Sequence, residues 1–402
     1  MNRRLGIESI MGIGGGNISK ASQAALDKAE ELCRKRKPEQ ALPYLTKAME
    51  DSNNLDAFIQ AAFLLPHPVA VEFLEKVERK GRATLKQTLS ADCFEETGRH
   101  YGQFWNLLET RPYMRVLQAM VRLYFENKNY AKSANTAIRM LRLCPIDNLG
   151  QRDWLGSILL RAGRISDALF FAQAWLTPDA SGKGTPPPSG GTAFGAPSRE
   201  PLSPARELKL ATRSDSSIVY NAALAAFKLW GNCPLACQYL RIGARVNPHI
   251  IIKILAKSDP PRTMNMDMRS PNGPEVAQDY LWLTQVLWME PDVWAWANDD
   301  PTAKRSVLRN CCLPSCSKWE SRVMEWKRCA ACKEVWYCSG QCQKAHWPVH
   351  KPRCLEHKSN KQYMRAMAKG TTLPSDFKMP TADFSSKMAF LRTPTTIGGT
   401  GF

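Results

Sequence analysis

Residues 112–145 contain the pattern that decides the fold of most of the chain, PYMRVLQAMVRLYFENKNYAKSANTAIRMLRLCP. Apolar residues between Leu117 and Tyr124 recur at spacings of three and four, which is typical of one buried face of a helix. A polar turn at residues 127–129 follows, and a second apolar periodic stretch covers residues 130–143. The sequence therefore predicts two helices joined by a short turn, which is a helical hairpin.

The same pattern occurs twice more along the chain. Residues 151–176 form the second copy, with a turn at Gly163, and residues 217–248 form the third, with a turn at Gly231. Pro145 and Pro178, which follow the first two copies, are 33 residues apart. A period of about 34 residues with two helices per unit is typical of tetratricopeptide-type stacking, in which each hairpin buries its apolar face against the next. We predict a mostly α fold with a tetratricopeptide-like array of helical hairpins.

Two short segments support this fold prediction through a resemblance. Residues 109–115, ETRPYMR, and residues 145–152, PIDNLGQR, resemble a family of tetratricopeptide-like proteins that carries such segments around a hairpin. The biochemical role of that family is poorly defined. The resemblance therefore bears on the fold and says little about activity.

Composition predicts where the ordered domains end. Gly-rich and Pro/Gly/Ser-rich segments bury too little apolar surface to offset the entropy cost of ordering the chain. Four tryptophans near residue 290 predict a closing helix that packs against the last repeat. The predicted segments are a disordered terminus at 1–19, helical repeats at 20–176, a disordered linker at 177–216, further helical repeats and the closing helix at 217–300, a zinc finger at 305–357 and a disordered tail at 370–402.

The charge and the cysteines bear on the compartment and on the partners. The formal net charge is +18, but basic residues are spread along the chain without a dense run, so we do not expect direct nucleic-acid binding. No apolar run reaches the roughly 20 residues that cross a bilayer, and no secretory signal is visible, so we expect a cytoplasmic or nuclear protein. In such compartments clustered thiols are more often metal ligands than disulfides.

Eight of the 13 cysteines lie between Cys311 and Cys354, in a spacing that suits two metal ions. Two four-coordinate sites of thiolate and imidazole ligands are typical of structural zinc. The pattern of potential ligands is Cys311-x4-Cys316-x12-Cys329-x2-Cys332-x5-Cys338-x3-Cys342-x7-His350-x3-Cys354.

This pattern, together with Tyr337, His346 and Trp347, resembles the MYND zinc finger over about 44 residues. The resemblance implies a cross-braced fold with two zinc ions, in which ligand pairs one and three share an ion and pairs two and four share the other. Site one is then Cys311, Cys316, Cys338 and Cys342, and site two is Cys329, Cys332, His350 and Cys354. Two alternatives stay open from the sequence, because Cys312 is a rival for Cys311 and His346 is a rival for His350.

The resemblance also implies a function. MYND fingers bind proline-rich peptides, and Gln343 and Trp347 match positions that line the peptide groove of that family. We therefore expect a zinc-binding adaptor whose finger binds one protein partner and whose helical repeats bind another. Transcriptional regulation is one process in which we expect such an adaptor to act. Two further possibilities are that Trp347 only packs over the zinc sites, and that the chain's own prolines at 186–188 and 201–204 occupy the finger.

Two other classes of function compete with the adaptor hypothesis. Some MYND fingers are inserted in SET-domain lysine methyltransferases, but the Asn-His-Ser-Cys element of that catalytic domain is missing here and only 48 residues follow Cys354. No nucleophile elbow, phosphate loop or zinc site with an open position is found in the sequence. We therefore expect no enzyme, and we keep a methyltransferase relative and a sequence-independent nucleic-acid binder as the alternatives.

Overall fold

The computed structural model describes residues 18–177, 185–265 and 269–369. These residues are mostly helical, and one two-stranded antiparallel sheet lies among them, so the predicted fold class is confirmed. The chain divides into two compact units. Among the described residues, the first unit contains the helical hairpins and lies within residues 18–250 and 259–293, and the second lies within residues 251–258 and 294–369 and includes the zinc finger.

The described residues form sixteen α-helices and two short strands, which we number in chain order. The first thirteen helices are α1 Lys20–Arg34, α2 Pro38–Met49, α3 Leu55–Ala62, α4 His67–Thr88, α5 Arg111–Glu126, α6 Tyr130–Leu143, α7 Arg152–Arg161, α8 Ile165–Leu176, α9 Pro204–Arg213, α10 Ser216–Trp230, α11 Pro234–Val246, α12 Pro248–Leu255 and α13 Pro274–Trp288. The remaining elements are α14 Pro291–Asp299, α15 Pro301–Val307, β1 Lys327–Arg328, β2 Trp336–Tyr337 and α16 Gly340–Lys369.

The same turn closes three of the hairpins. Arg36, Lys128 and Gly163 follow the first helix of their hairpins with left-handed φ angles of 59°, 61° and 76°. In each case the next residue donates its backbone N–H to a carbonyl five residues earlier, as Arg164 does to Leu159 at 2.9 Å. This hydrogen bond and the left-handed residue together form a common helix C-terminal cap. The hairpin of α10 and α11 turns differently, since Gly231 has a φ of 68° and a ψ of −153°.

The hairpins stack directly on one another, even where the sequence inserts a long segment between them. Helix α10 packs against both α7 and α8, so the third hairpin continues the array across the insertion at residues 177–215. Tyr220 on α10 is fully buried, and its hydroxyl donates to the backbone oxygen of Asn247 at 3.0 Å. Stacking of this kind gives each hairpin the apolar partner that it lacks alone.

Helix α13 covers the face formed by the first helices of three hairpins. Its Trp282 ring lies 5.1 Å from the ring of Phe125 on α5 and 5.8 Å from that of Trp154 on α7. Its Trp288 is fully buried against Tyr220 on α10, with ring centroids 6.0 Å apart. The aromatic residues of this helix therefore contact α5 and α7 in addition to α10, which belongs to the last repeat against which the sequence predicted packing.

The predicted disordered linker at 177–216 needs a correction. Residues 185–203 lie against the hairpins, with a 3-10 turn at Pro188–Gly191, and residues Pro204–Arg213 form α9, which packs on α11. The prediction rested on composition, and composition does not reveal contacts with distant helices. Residues 178–184 of that linker lie outside the described ranges, as do residues 1–17 of the terminus predicted to be disordered at 1–19 and the tail predicted to be disordered at 370–402. Ser19 caps α1, since its side chain accepts the Ser22 N–H at 3.2 Å.

Across the described ranges, no helix combines the length and the apolar composition that crossing a membrane requires.

Candidate metal centre

The first part of the centre is a β-hairpin that carries two cysteines in its turn. Strands β1 and β2 pair antiparallel, with Arg328 opposite Trp336. Between them, Cys329 accepts the N–H of Lys333 through its backbone oxygen at 2.9 Å, and Lys333 has a left-handed φ of 61°. This tight turn brings the Sγ atoms of Cys329 and Cys332 to the same side, as the two-residue spacing predicts.

Site two is completed by the long C-terminal helix α16. Cys354 Sγ lies 3.8 Å from Cys329 Sγ, and His350 Nε2 lies 3.5 Å from Cys332 Sγ. All four residues are buried, and their ligand atoms lie within 4.8 Å of one another. His350 and Cys354 are four residues apart on α16, so they lie on one helix face.

Site one joins the segment before the β-hairpin to the start of α16. Cys316 Sγ lies 3.7 Å from Cys338 Sγ, which lies 3.5 Å from Cys342 Sγ. Cys311 completes the group, whose four sulfur atoms lie within 4.8 Å of one another. The structure thus brings all eight predicted ligands together, in the two groups of four that the MYND resemblance implies.

The separations between ligand atoms fit zinc. A tetrahedral ion with Zn–S bonds of about 2.3 Å places two sulfur atoms about 3.8 Å apart, and a thiolate and an imidazole nitrogen about 3.6 Å apart. The three S–S separations given above are 3.5–3.8 Å, the Cys332–His350 separation is 3.5 Å, and all ligand atoms of each site lie within 4.8 Å of one another. A disulfide would require about 2.05 Å. The donor set and its geometry therefore fit two zinc ions, each with four protein ligands and no open position.

The structure distinguishes the two adjacent cysteines at the first ligand position. Cys311 is buried and its Sγ belongs to site one. The Sγ atom of Cys312 instead accepts the backbone N–H of Trp336 at 3.4 Å, and burial raises the pKa of the Cys312 thiol. Cys312 therefore stabilises strand β2, and the geometry favours Cys311 as the ligand.

The structure likewise distinguishes the two histidines of α16. His346 Nδ1 is paired with the Tyr337 hydroxyl at 3.0 Å, whereas His350 Nε2 lies in site two. Burial, followed by the neighbouring thiols, raises the pKa of Tyr337 to about 12, so its hydroxyl stays neutral. Tyr337 thereby connects strand β2 to α16 between the two sites. Sequence reasoning did not give Tyr337 or Cys312 these roles, although both stand directly beside ligands.

The metal ligands are also the core of this small fold. The buried cluster of the finger consists of Cys329, Cys332 and Cys354, with Val335 packed against it. Such a cluster offers little apolar surface, so zinc binding must supply most of the folding free energy. The two zinc sites are therefore structural, and with four protein ligands each they have no coordination position for a substrate.

The predicted peptide-binding residues lie on α16 beside site two. Gln343 and Trp347 are four residues apart and so share one face of the helix. The Trp347 ring packs edge-on against the His350 ring at 5.8 Å, and the side chain remains 38% exposed. Trp347 therefore contacts a zinc ligand with one part of its ring and presents another part to solvent.

Comparison with known proteins identifies this region. A family model described as MYND finger matches residues 312–354. These residues form a MYND finger. The relatives named as MYND-type zinc finger proteins match this chain over the same part.

The sequence similarity to these relatives is limited to the finger. The SET domain and MYND-type zinc finger protein 6 of Schizosaccharomyces pombe is 46% identical over 48 residues, which is 12% of this chain and 10% of that protein. The MYND-type zinc finger protein samB of Aspergillus clavatus is 38% identical over 50 residues, or 12% of this chain and 8% of that protein. This chain thus spans about a tenth of the length of the curated relatives that it matches. No solved structure matches the chain.

The SET-domain relative shows no enzymatic domain in this protein, since the similarity covers only the MYND finger. A MYND finger is a binding module that interacts with proteins, and this function applies to residues 312–354.

Proposed function

We propose that the protein is an adaptor whose MYND finger binds proline-rich peptide segments of a partner, while the helical hairpins bind a second protein. The observation that carries this proposal is the exposed Trp347 on the same helix face as Gln343, directly beside zinc site two. An extended proline-rich segment loses little conformational entropy on binding, so an aromatic surface with one amide side chain is a suitable receptor.

The zinc sites determine the position of this surface. His350 is both a site-two ligand and the ring against which Trp347 packs. Zinc at site two therefore holds in place the imidazole ring on which Trp347 packs. A fixed aromatic ring contributes more to binding than a mobile one, because less entropy is lost when the peptide docks.

The alternative role for Trp347, packing alone, makes a different prediction about partners. If the ring only covers the zinc site, its removal affects the finger's stability and no peptide affinity is lost.

We also propose a cytoplasmic or nuclear location, since an oxidising compartment favours disulfides among clustered thiols over thiolate ligands for zinc.

The test is a titration of the zinc-loaded full chain with fluorescein-labelled proline-rich peptides, followed by anisotropy. We expect saturable binding, and we expect Trp347→Ala to weaken it by about 30-fold, since truncating a tryptophan anchor costs on the order of 2 kcal/mol. Val349→Ala is the matched control, because Val349 is 74% exposed on the same helix but two residues away from Trp347.

Zinc content is measured for each variant in the same experiment. Loss of binding in Trp347→Ala with two zinc ions retained supports the peptide surface. Equal binding by Trp347→Ala and the wild type, or no binding of any proline-rich peptide, would refute it.

A further inference from the structure

Residues 185–203, which we call the strap, lie along the second helices of three consecutive hairpins. The strap contacts α6 through Arg142, which donates to the Thr192 oxygen atoms at 3.2 and 3.3 Å. It contacts α8 through Trp175, whose Nε1 donates to the Gly190 oxygen at 3.1 Å. Further along it reaches α11 through Gln238. The strap thus contacts the second helix of each of these hairpins, which form the outer face of the array, whereas α13 covers the first helices.

The first half of the strap is built into the fold. Gly190 and Gly191 are buried with left-handed φ angles of 63° and 80°. A Cβ atom on Gly190 would lie 2.9 Å from Leu141 Cβ, and one on Gly191 would lie 2.8 Å from Trp175 Nε1. This close packing leaves no room for a side chain at either position, so residues 190 and 191 hold the first half of the strap firmly in place.

The second half is held in a different way, by two glutamine side chains that pair with its backbone. Gln173 on α8 donates to the Ser198 oxygen at 2.7 Å and accepts the Ser198 N–H at 2.8 Å. Gln238 on α11 donates to the Leu202 oxygen at 2.8 Å and accepts the Leu202 N–H at 2.8 Å. Each side-chain amide thereby forms two hydrogen bonds with a single residue of the strap.

The spacing of the paired residues matches an extended peptide. Ser198 and Leu202 are four residues apart, and residues at even separations present their backbone groups on the same edge of an extended chain. Each of them directly follows a proline, Pro197 or Pro201. Proline has no N–H and restricts the preceding residue to extended conformations, so this pattern keeps the chain extended between the two glutamines.

Side chains contribute little to holding this half. Ser198, Glu200 and Pro201 are exposed, and Leu202 is half-buried. The Arg199 guanidinium lies 5.8 Å from the Trp230 ring, which is a contact at the surface. Since the strap contributes only backbone atoms to these hydrogen bonds with the two glutamine side chains, other sequences with prolines four residues apart can form them equally well.

We propose that the outer face of α8 and α11 is a peptide-binding site, with Gln173 on α8, Gln238 on α11 and the neighbouring Trp230 at the end of α10 as its contact residues. Its resident ligand is residues 196–203 of the strap, and the ligand from a partner is an extended peptide with prolines four residues apart. The partner peptide and residues 196–203 exclude each other, so the strap regulates access to the site. This inference names the second binding surface of the proposed adaptor and rests on that function for its biological role alone.

The test uses the full zinc-loaded chain carrying Trp347→Ala, so that the finger surface does not contribute. In one variant, residues 196–203 are replaced by eight Gly and Ser residues. A labelled peptide of sequence GAPSREPLSPA, which is residues 195–205, is titrated into both forms. We expect saturable binding to the replaced form and binding at least about tenfold weaker to the form with its strap intact, because a tethered ligand competes at a high effective concentration.

Two controls separate backbone pairing from general adhesion. In the replaced form, Gln173→Ala or Gln238→Ala should weaken the peptide at least about fivefold, since two hydrogen bonds are lost. Gln278→Ala is the matched control, because Gln278 donates to the Thr263 oxygen elsewhere in the same unit. The second control is a peptide N-methylated at the serine and leucine that match Ser198 and Leu202. Its affinity for the replaced form should be no higher than the affinity of the unmethylated peptide for the glutamine variants.

A folded replaced form that does not bind the peptide, or that binds the N-methylated peptide equally well, would overturn the proposal and leave the strap as a structural brace. If the replaced form does not fold, amide hydrogen exchange is measured instead in the chain that retains its strap. Gln238→Ala and millimolar GAPSREPLSPA should each accelerate exchange at Leu202 at least about fivefold, and no acceleration by the peptide would overturn the proposal. Failure of the finger to bind peptides leaves these outcomes unchanged, so the two proposals fail separately.

Discussion

The guanidinium of Arg115 donates two hydrogen bonds to the carboxylate of Asp56, from Nε to Oδ1 at 2.8 Å and from a terminal nitrogen to Oδ2 at 2.7 Å. Both side chains are only 4% exposed. The pair joins α3 to α5 across 59 residues of sequence, and Arg115 is the last residue of the ETRPYMR segment. This segment therefore has a structural role, which is to join the N-terminal helices to the repeats.

Replacing Arg115 by leucine should destabilise the helical unit by about 3–5 kcal/mol, because it leaves the Asp56 carboxylate buried without its cationic partner. Urea denaturation followed by far-UV circular dichroism measures the change. Lys28→Ala is the control, since Lys28 and its partner Glu31 are well exposed and solvent screens the attraction between them. Equal stability of the wild type and Arg115→Leu would contradict a structural role for the pair.

The hairpins could be predicted because their determinants are local. Apolar spacing and the turns at Lys128 and Gly163 lie within a single hairpin, and each turn forms without distant contacts. The strap could not be predicted in this way. Its contacts join Ser198 to Gln173 and Leu202 to Gln238, which are 25 and 36 residues away, and glutamine on a helix surface carries no periodic signal.

Gly156→Ala should destabilise the protein by about 1–3 kcal/mol, although alanine ordinarily stabilises a helix interior relative to glycine. A Cβ atom at this position on α7 would lie 2.7 Å from Asn221 Nδ2 on α10, and Asn221 is buried. Thermal unfolding measures the effect. The double variant Gly156→Ala, Asn221→Ala should be more stable than the sum of the two single changes allows, and simple additivity would argue against the close approach of these helices.

Asp147 should make the helical unit less stable as the pH rises. Burial raises the pKa of its carboxyl group to about 6, although the carboxylate accepts the N–H groups of Gln151 and Arg152 at 2.7 and 2.8 Å. Because the folded pKa exceeds the unfolded value of about 3.9, the contribution to stability is fully present below about pH 4 and is lost as the pH rises through about 6.

The comparison with Asp147→Asn isolates this effect. Between pH 5.0 and pH 7.5, the unfolding free energy of the wild type should fall by about 1 kcal/mol relative to that of the variant. Denaturation is measured at both pH values with excess zinc, so that proton competition at the finger is the same for the two proteins. A pH-independent difference between them would show that Asp147 does not titrate in this range.

Cys311→Ser should lose one zinc ion per chain, whereas Cys312→Ser should retain both. The reason is that Cys311 Sγ belongs to site one, while Cys312 Sγ accepts the Trp336 N–H and lies outside both ligand groups. Zinc released by each variant is quantified with a chromogenic chelator after denaturation. The opposite result, with zinc lost only in Cys312→Ser, would exchange the roles of the two residues.

The metal centre could be predicted almost entirely from the sequence, because ligand spacing is a local property and the cross-bracing followed from the MYND resemblance. The choice between Cys311 and Cys312 could not be made from spacing alone, since it depends on the pairing of Cys312 with strand β2. The choice between His346 and His350 likewise depends on Tyr337, whose hydroxyl pairs with His346.

Native mass spectrometry of the full chain tests the central claim most directly, because it counts the zinc ions held by the folded protein. The account predicts two zinc ions in the wild type and one in Cys332→Ser, since Cys332 is a ligand of site two alone and site one keeps its four thiolates. A wild-type protein that holds fewer than two zinc ions, or a Cys332→Ser variant that still holds two, would contradict the assignment of the two sites.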